Sequence, residues 1–228
     1  EKFAAGDDGR KDIVPLARAR AAAPSFDWAT EEIRKPEILG LQHFESIPLD
    51  VLATYIDWSP YFWAWQLHGV YPTIFNKPEV GTEAKKLFAD GKKMLEDIIA
   101  NKRFTSRAVA GFWPANSVGD DVEIYGDESR VEQIATFHFL RQQRQKKEGQ
   151  ICRSLSDNVA PKDSGRIDSF GGFAVTMGQE VEDYAATFRD AGDDYTAIIV
   201  QSLGDRFAEA SAEYLHKTLR HQCGIGQG

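Results

Sequence analysis

Cysteine is scarce in this 228-residue chain: Cys152 and Cys223 lie far apart and form no motif. That excludes a disulfide framework and a thiolate metal cluster, and it fits free thiols in a reducing, cytoplasmic setting. No apolar run approaches the roughly 20 residues needed to span a bilayer, so a soluble protein is expected. The opening EKFAAGDDGRKD has none of the apolar stretch of a secretory signal. Positive charge is in deficit, with 27 Lys and Arg against 35 Asp and Glu and a net charge of −8. This argues against non-specific binding to nucleic acid or to an anionic membrane. HExxH and GxSxG are absent, and none of the five histidines has ligand spacing with a cysteine. No protein metal site and no acyl-transfer nucleophile are expected. The terminal CGIGQG lacks dinucleotide-binding spacing and any surrounding βαβ unit, and reads as a flexible end.

Apolar residues make up 42% of the chain and aromatics 11%, enough for a substantial core. Residues 1–35 have little periodicity and read as an N-terminal arm or linker; residues 36–228 read as one domain. GLQHFESIP reads as an edge strand. Residues 82–100 carry Ala84, Leu87, Phe88, Met94, Leu95, Ile98 and Ile99 on one helical face. Strand-length runs follow at 107–113, 121–125, 131–139 and 168–176, with Gly, Asn, Asp and Pro between them. LRQQRQKK reads as a basic tail to the third of these, and His138 as a hydrogen-bonded core residue. Residues 179–190 form an amphipathic helix. A long one, capped by Asp193 or Asp194, runs to about Arg220. Strands in the middle and helices toward both ends predict an α+β fold with a mostly antiparallel sheet.

One stretch stands out. Residues 55–65, YIDWSPYFWAW, hold six aromatics and one carboxylate, Asp57. Asp50 opens a short helix in a capping position. Ser59-Pro60 breaks it, with Ser59 as the cap of a second helix. Asp57 then sits at the joint, beside the positive end of that second helix. A buried acid is costly unless paired, so Asp57 is either a structural cap or an acid held for a cation. The stripe Tyr55, Trp58, Phe62, Trp65 has the helical spacing of a core face.

Acid is concentrated late in the chain. Residues 178–209 hold eight acids against Arg189 and Arg206. Asp205 and Glu209 lie four apart on the long helix, where like charges cost a few tenths of a kcal/mol. Either both are solvated and relieved by Arg206 or Lys217, or they serve a cation, an imidazole or a sugar-like ligand. Acids among aromatics also suit a carbohydrate-binding or hydrolase domain, though no motif supports that.

YIDWSPYFWAWQLHGVYP, AVAGFWPANSVGDDVEIY, TFHFLRQQ, SDNVAPKDSG and DDYTAIIVQSLGDRFAEASAEYLH, in that order, resemble the activation domain of cobalamin-dependent methionine synthase. The resemblance runs from about residue 25 to 221. It implies a single C-shaped α+β domain around a twisted antiparallel sheet, one that binds S-adenosylmethionine. It implies action when cob(I)alamin has been oxidised to cob(II)alamin. An electron from flavodoxin or a flavodoxin-like reductase and a methyl group from S-adenosylmethionine then restore the cofactor, which a neighbouring cobalamin domain holds. It implies that Asp57 and Glu209 meet S-adenosylmethionine, and that Asp205 meets the cobalamin-domain histidine after it leaves cobalt. The family pattern continues into an Arg-x-x-x-Gly-Tyr segment whose arginine binds the ligand carboxylate. This chain contains no such segment, so a C-terminally truncated form with weakened affinity is expected. The alternative is a docking module that caps the cobalamin domain without useful ligand affinity.

Overall fold

A computed structural model describes residues 13–144 and 151–226. The charged opening dozen, the end of the basic run at 145–147 and the last two residues of the glycine terminus lie outside them. Six helices and five strands are described. The helices are α1 (Leu16–Ala21), α2 (Leu49–Ala53), α3 (Ser59–Trp63), α4 (Gly81–Ala100), α5 (Glu180–Asp190) and α6 (Asp194–Gln222). The strands are β1 (Gly40–Ile47), β2 (Ser106–Val118), β3 (Asp121–Tyr125), β4 (Gln133–His138) and β5 (Asp168–Thr176). The sheet order is β1-β2-β3-β4, with β5 also paired to β2. The β2–β3 and β3–β4 pairings are antiparallel, which bears out the α+β expectation. No helix among the described residues is long and apolar enough to cross a membrane.

The chain divides into two compact units, residues 1–40 with 112–171 and residues 41–111 with 172–228. In the first, β2 turns tightly into β3, with Val118 opposite Asp121. Gly119 makes this turn at φ +65°, a region that a side chain disfavours. Ala115, Val122, Ile124 and Val159 form a small core. A charged hub ties the loops together. The Arg141 side chain is 3% exposed. Its guanidinium donates to Asp120 Oδ1 at 2.7 Å, to Asp157 Oδ1 at 2.6 Å and to the Cys152 carbonyl at 2.7 Å. Arg20 of α1 donates to the other Asp120 oxygen at 2.8 Å. Burial alone would raise the Asp120 carboxyl; hydrogen bonds from Arg20 and Arg141 outweigh it and hold the group below the usual range.

The segment read as an N-terminal arm contains α1, whose Ala19 is buried with Val14 and Cys152. Two expectations need correction here. Arg141 is no part of a solvated basic tail but the hub itself. His138 is not a core residue: its side chain is 77% exposed, with Nδ1 3.0 Å from Asp121 Oδ1. Apolar neighbours in sequence do not bury a residue when its strand, β4, is exposed along nearly all its length.

The second unit carries the larger core. Leu52, Trp58, Phe62, Leu95, Leu203 and Phe207 are among its buried residues. The helix expected over 82–100 is α4, and its buried positions Ala84, Leu87, Leu95 and Ile98 belong to the expected face. α2, α3, α4 and α5 all pack on α6. The α5–α6 approach depends on Gly204, where an added Cβ would lie 2.5 Å from Val181 Cγ1. Asp193 is the residue that caps α6, accepting the Thr196 N–H at 3.0 Å.

Candidate functional site

The aromatic stretch folds as two short helices, α2 and α3, with Asp57 in the joint between them. The local capping differs from expectation. Pro48, not Asp50, precedes α2, and Asp50 lies in its first turn. Trp58 occupies the position before α3; Ser59 begins that helix. The Ser59 hydroxyl instead accepts the Tyr71 N–H at 3.1 Å. Asp57 closes the joint, its Oδ1 accepting the Ser59 N–H at 2.8 Å. The residue is exposed rather than buried, so desolvation does not demand a partner for it. Its second oxygen has no protein hydrogen bond among the described residues.

The aromatic stripe divides between core and flank. Trp58 and Phe62 are buried, while Tyr55 and Trp65 are partly buried against the core. Both flanking rings meet tyrosines of α6. Tyr55 packs edge-on against Tyr214 with centroids 5.8 Å apart, and Trp65 against Tyr195 at 4.8 Å. Along the helix axis those two tyrosines are roughly 28 Å apart, at about 1.5 Å per residue. Residues 55–65 therefore run alongside α6 in the opposite direction. The Tyr195 hydroxyl donates to Asp90 Oδ2 at 2.8 Å. Burial, followed by that carboxylate, pushes its phenol up to about 12. The Trp65 indole N–H is buried with no hydrogen-bond partner among the described residues.

On α6, Leu203, Phe207 and Ala210 face the core. At about 100° per residue, Asp205 points nearly opposite that line and Glu209 lies some 40° from Asp205. Both are exposed. Their fates differ. Asp205 has no hydrogen bond or ion pair among the described residues. Glu209 Oε2 accepts from Arg206 Nη1, whose side chain is 15% exposed against 51% for Glu209. Of the two bases expected to relieve the acids, Arg206 does so for Glu209, while the Lys217 ammonium sits 5.8 Å from the Tyr55 ring centre. Sequence spacing named both bases, but only the fold chose between them.

No group of three or more His, Cys, Asp or Glu residues that could hold a metal ion occurs among the described residues. What the arrangement offers is exposed carboxylates at the α2–α3 joint and on α6, two elements that aromatic contacts hold together. Acids set among aromatics suit a cationic ligand with a flat ring system.

Comparison with known proteins agrees with the resemblance. The family model for the activation domain of vitamin B12 dependent methionine synthase matches residues 48–225. Among solved structures, the crystal structure of the MetH reactivation domain bound to AdoHcy is similar, at a TM-score of 0.85 and 44% identity. That match covers 92% of this chain and 64% of the other, so this chain spans a little under two thirds of its length. The family match takes in both the α2–α3 joint and the whole of α6; on this evidence the chain belongs to the family of vitamin B12-dependent methionine synthase activation domains.

Proposed function

We propose that this chain binds S-adenosylmethionine and serves the reactivation of a cytoplasmic, cobalamin-dependent methionine synthase. The observation that carries the reading is the 44% identity, over 92% of this chain, to a reactivation domain bound to AdoHcy. S-adenosylhomocysteine is what S-adenosylmethionine becomes once its methyl group is given up, so a site that holds one has the shape for the other. The bound ligand supplies the methyl group for reductive methylation of cob(II)alamin, with the electron coming from flavodoxin or a flavodoxin-like reductase. The cobalamin belongs to a neighbouring domain of the same enzyme. That enzyme's ordinary reaction, methyl transfer from methyltetrahydrofolate to homocysteine in methionine biosynthesis, needs no catalytic group from this chain.

The chain's own residues have three tasks in this reading. Asp57 and Glu209 present carboxylate oxygens to the ligand, whose sulfonium and ammonium are both cationic. Tyr55 and Trp65 hold the segment that carries Asp57 against α6, which carries Glu209. Asp205, exposed and free of described protein partners, is offered to the histidine released from cobalt. A carboxylate accepts that hydrogen bond and favours the protonated ring.

Isothermal titration with S-adenosylmethionine and S-adenosylhomocysteine tests the reading. The parent should bind both, and Asp57→Ala should bind several-fold more weakly with little change in melting temperature. An Asp57→Ala variant that binds like the parent removes Asp57 from the site. A parent that binds neither compound refutes the ligand role and favours the docking module.

A further inference from the structure

Glu209 sits on an exposed face of α6, its side chain 51% exposed, and a glutamate side chain has three rotatable bonds. A carboxylate in that state must lose rotamer freedom before it can hold a ligand, and that loss weakens binding. Arg206 changes the situation. It lies three residues earlier, within reach on the same helix, and its Nη1 donates to Glu209 Oε2. Its own side chain is largely buried, at 15% exposed, so the guanidinium is a fixed donor and not a second mobile group. The guanidinium is planar and permanently charged, which gives the contact direction as well as attraction. It engages one carboxylate oxygen and leaves Oε1 open. Lys217 does not compete for the acid, because its ammonium lies over the Tyr55 ring.

We infer that Arg206 is a positioning residue for the ligand site: it fixes the Glu209 carboxylate with one oxygen turned outward, ready for the ligand's hydrogen-bond donor. This rests on the reading that Glu209 contacts the ligand. The opposite role, an internal cation that the ligand must displace, would need a guanidinium free to move away. The burial of Arg206 argues against that. Immobilising one rotamer-rich side chain corresponds to about a two- to tenfold change in affinity.

The test compares Arg206→Met, Arg206→Lys, Glu209→Gln and the Arg206→Met/Glu209→Gln double variant. S-adenosylhomocysteine is titrated calorimetrically into each, with melting temperature as the control for folding. Arg206→Met should weaken binding about two- to tenfold, and Arg206→Lys should recover part of the loss. The double variant should bind no worse than Glu209→Gln alone, because a positioning residue has nothing left to position; a merely structural loss would add. If Glu209→Gln weakens binding and Arg206→Met does not, the positioning role fails and the site stands. Tighter binding by Arg206→Met also overturns it. If Glu209→Gln binds like the parent, the reading of Glu209 itself fails, and this inference with it.

Discussion

Replacing Arg141 with methionine should destabilise the unit built on residues 1–40 and 112–171 by about 2–4 kcal/mol. Removing one member of a buried ion pair leaves the other uncompensated, at about 3–5 kcal/mol. Two features reduce that figure. Asp120 keeps its contact with Arg20, and Asp157 keeps the Ser154 N–H at 2.7 Å. Methionine also fills part of the vacated space. The loss should depend on pH in a definite direction. The folded Asp120 carboxyl lies below its ordinary value, with Arg141 one of the causes. Its contribution to stability is therefore present above the unfolded pKa, about 3.9. It is lost as pH falls through the lower, folded value. The gap between parent and variant should be widest near pH 7 and narrow below about pH 4. Urea unfolding followed by fluorescence at pH 7, 5 and 3 measures it. Adding Asp157→Asn to Arg141→Met should recover part of the loss by removing the stranded charge. A loss under about 1 kcal/mol, flat from pH 7 to pH 3, would refute the hub as an electrostatic clamp.

Two further outcomes are expected. Gly204→Ala gains about 1 kcal/mol of helix propensity, but the new Cβ would lie 2.5 Å from Val181 Cγ1. Val181 is β-branched and stiff, so overpacking of about 1–3 kcal/mol should win and the variant should melt lower. Adding Val181→Ala should reverse the sign of the Gly204→Ala effect; a Gly204→Ala variant more stable than the parent would disprove the close approach. In a full-length enzyme, Asp205→Asn should slow recovery from cob(II)alamin more than primary turnover. It should also shrink the histidine-off fraction seen in the cobalamin absorbance spectrum. An unchanged spectrum and recovery rate would return Asp205 to a solvated surface acid.

Much of the fold was legible in the sequence because it follows from local pattern. The apolar positions of α4 recur at helical spacing, and Asp193 is followed three residues later by the N–H it caps. β3 and β5 match their expected runs, since turn residues bracket them. The short α1 was not legible: at six residues it has too few turns to show a period. The family was legible from long ordered motifs, and so were Asp57, Asp205 and Glu209 as the acids to examine for a ligand site.

Tertiary structure decided what those acids face. Sequence placed Asp57 among aromatics and suggested burial, but Trp58 and Phe62 turn inward and Tyr55 and Trp65 meet α6 while the carboxylate stays at the surface, closing a helix joint. Spacing alone put Asp205 and Glu209 on one face with two bases in reach. Only packing could send Lys217 to the Tyr55 ring and leave Arg206 for Glu209. Arg141 shows the same limit most plainly. Its neighbours Leu140 and Gln142 are exposed, and it is buried because Asp120 and Asp157, remote in the chain, converge on it. A local pattern reports which face of an element is apolar; it carries no information about which distant side chain will arrive to meet a charge.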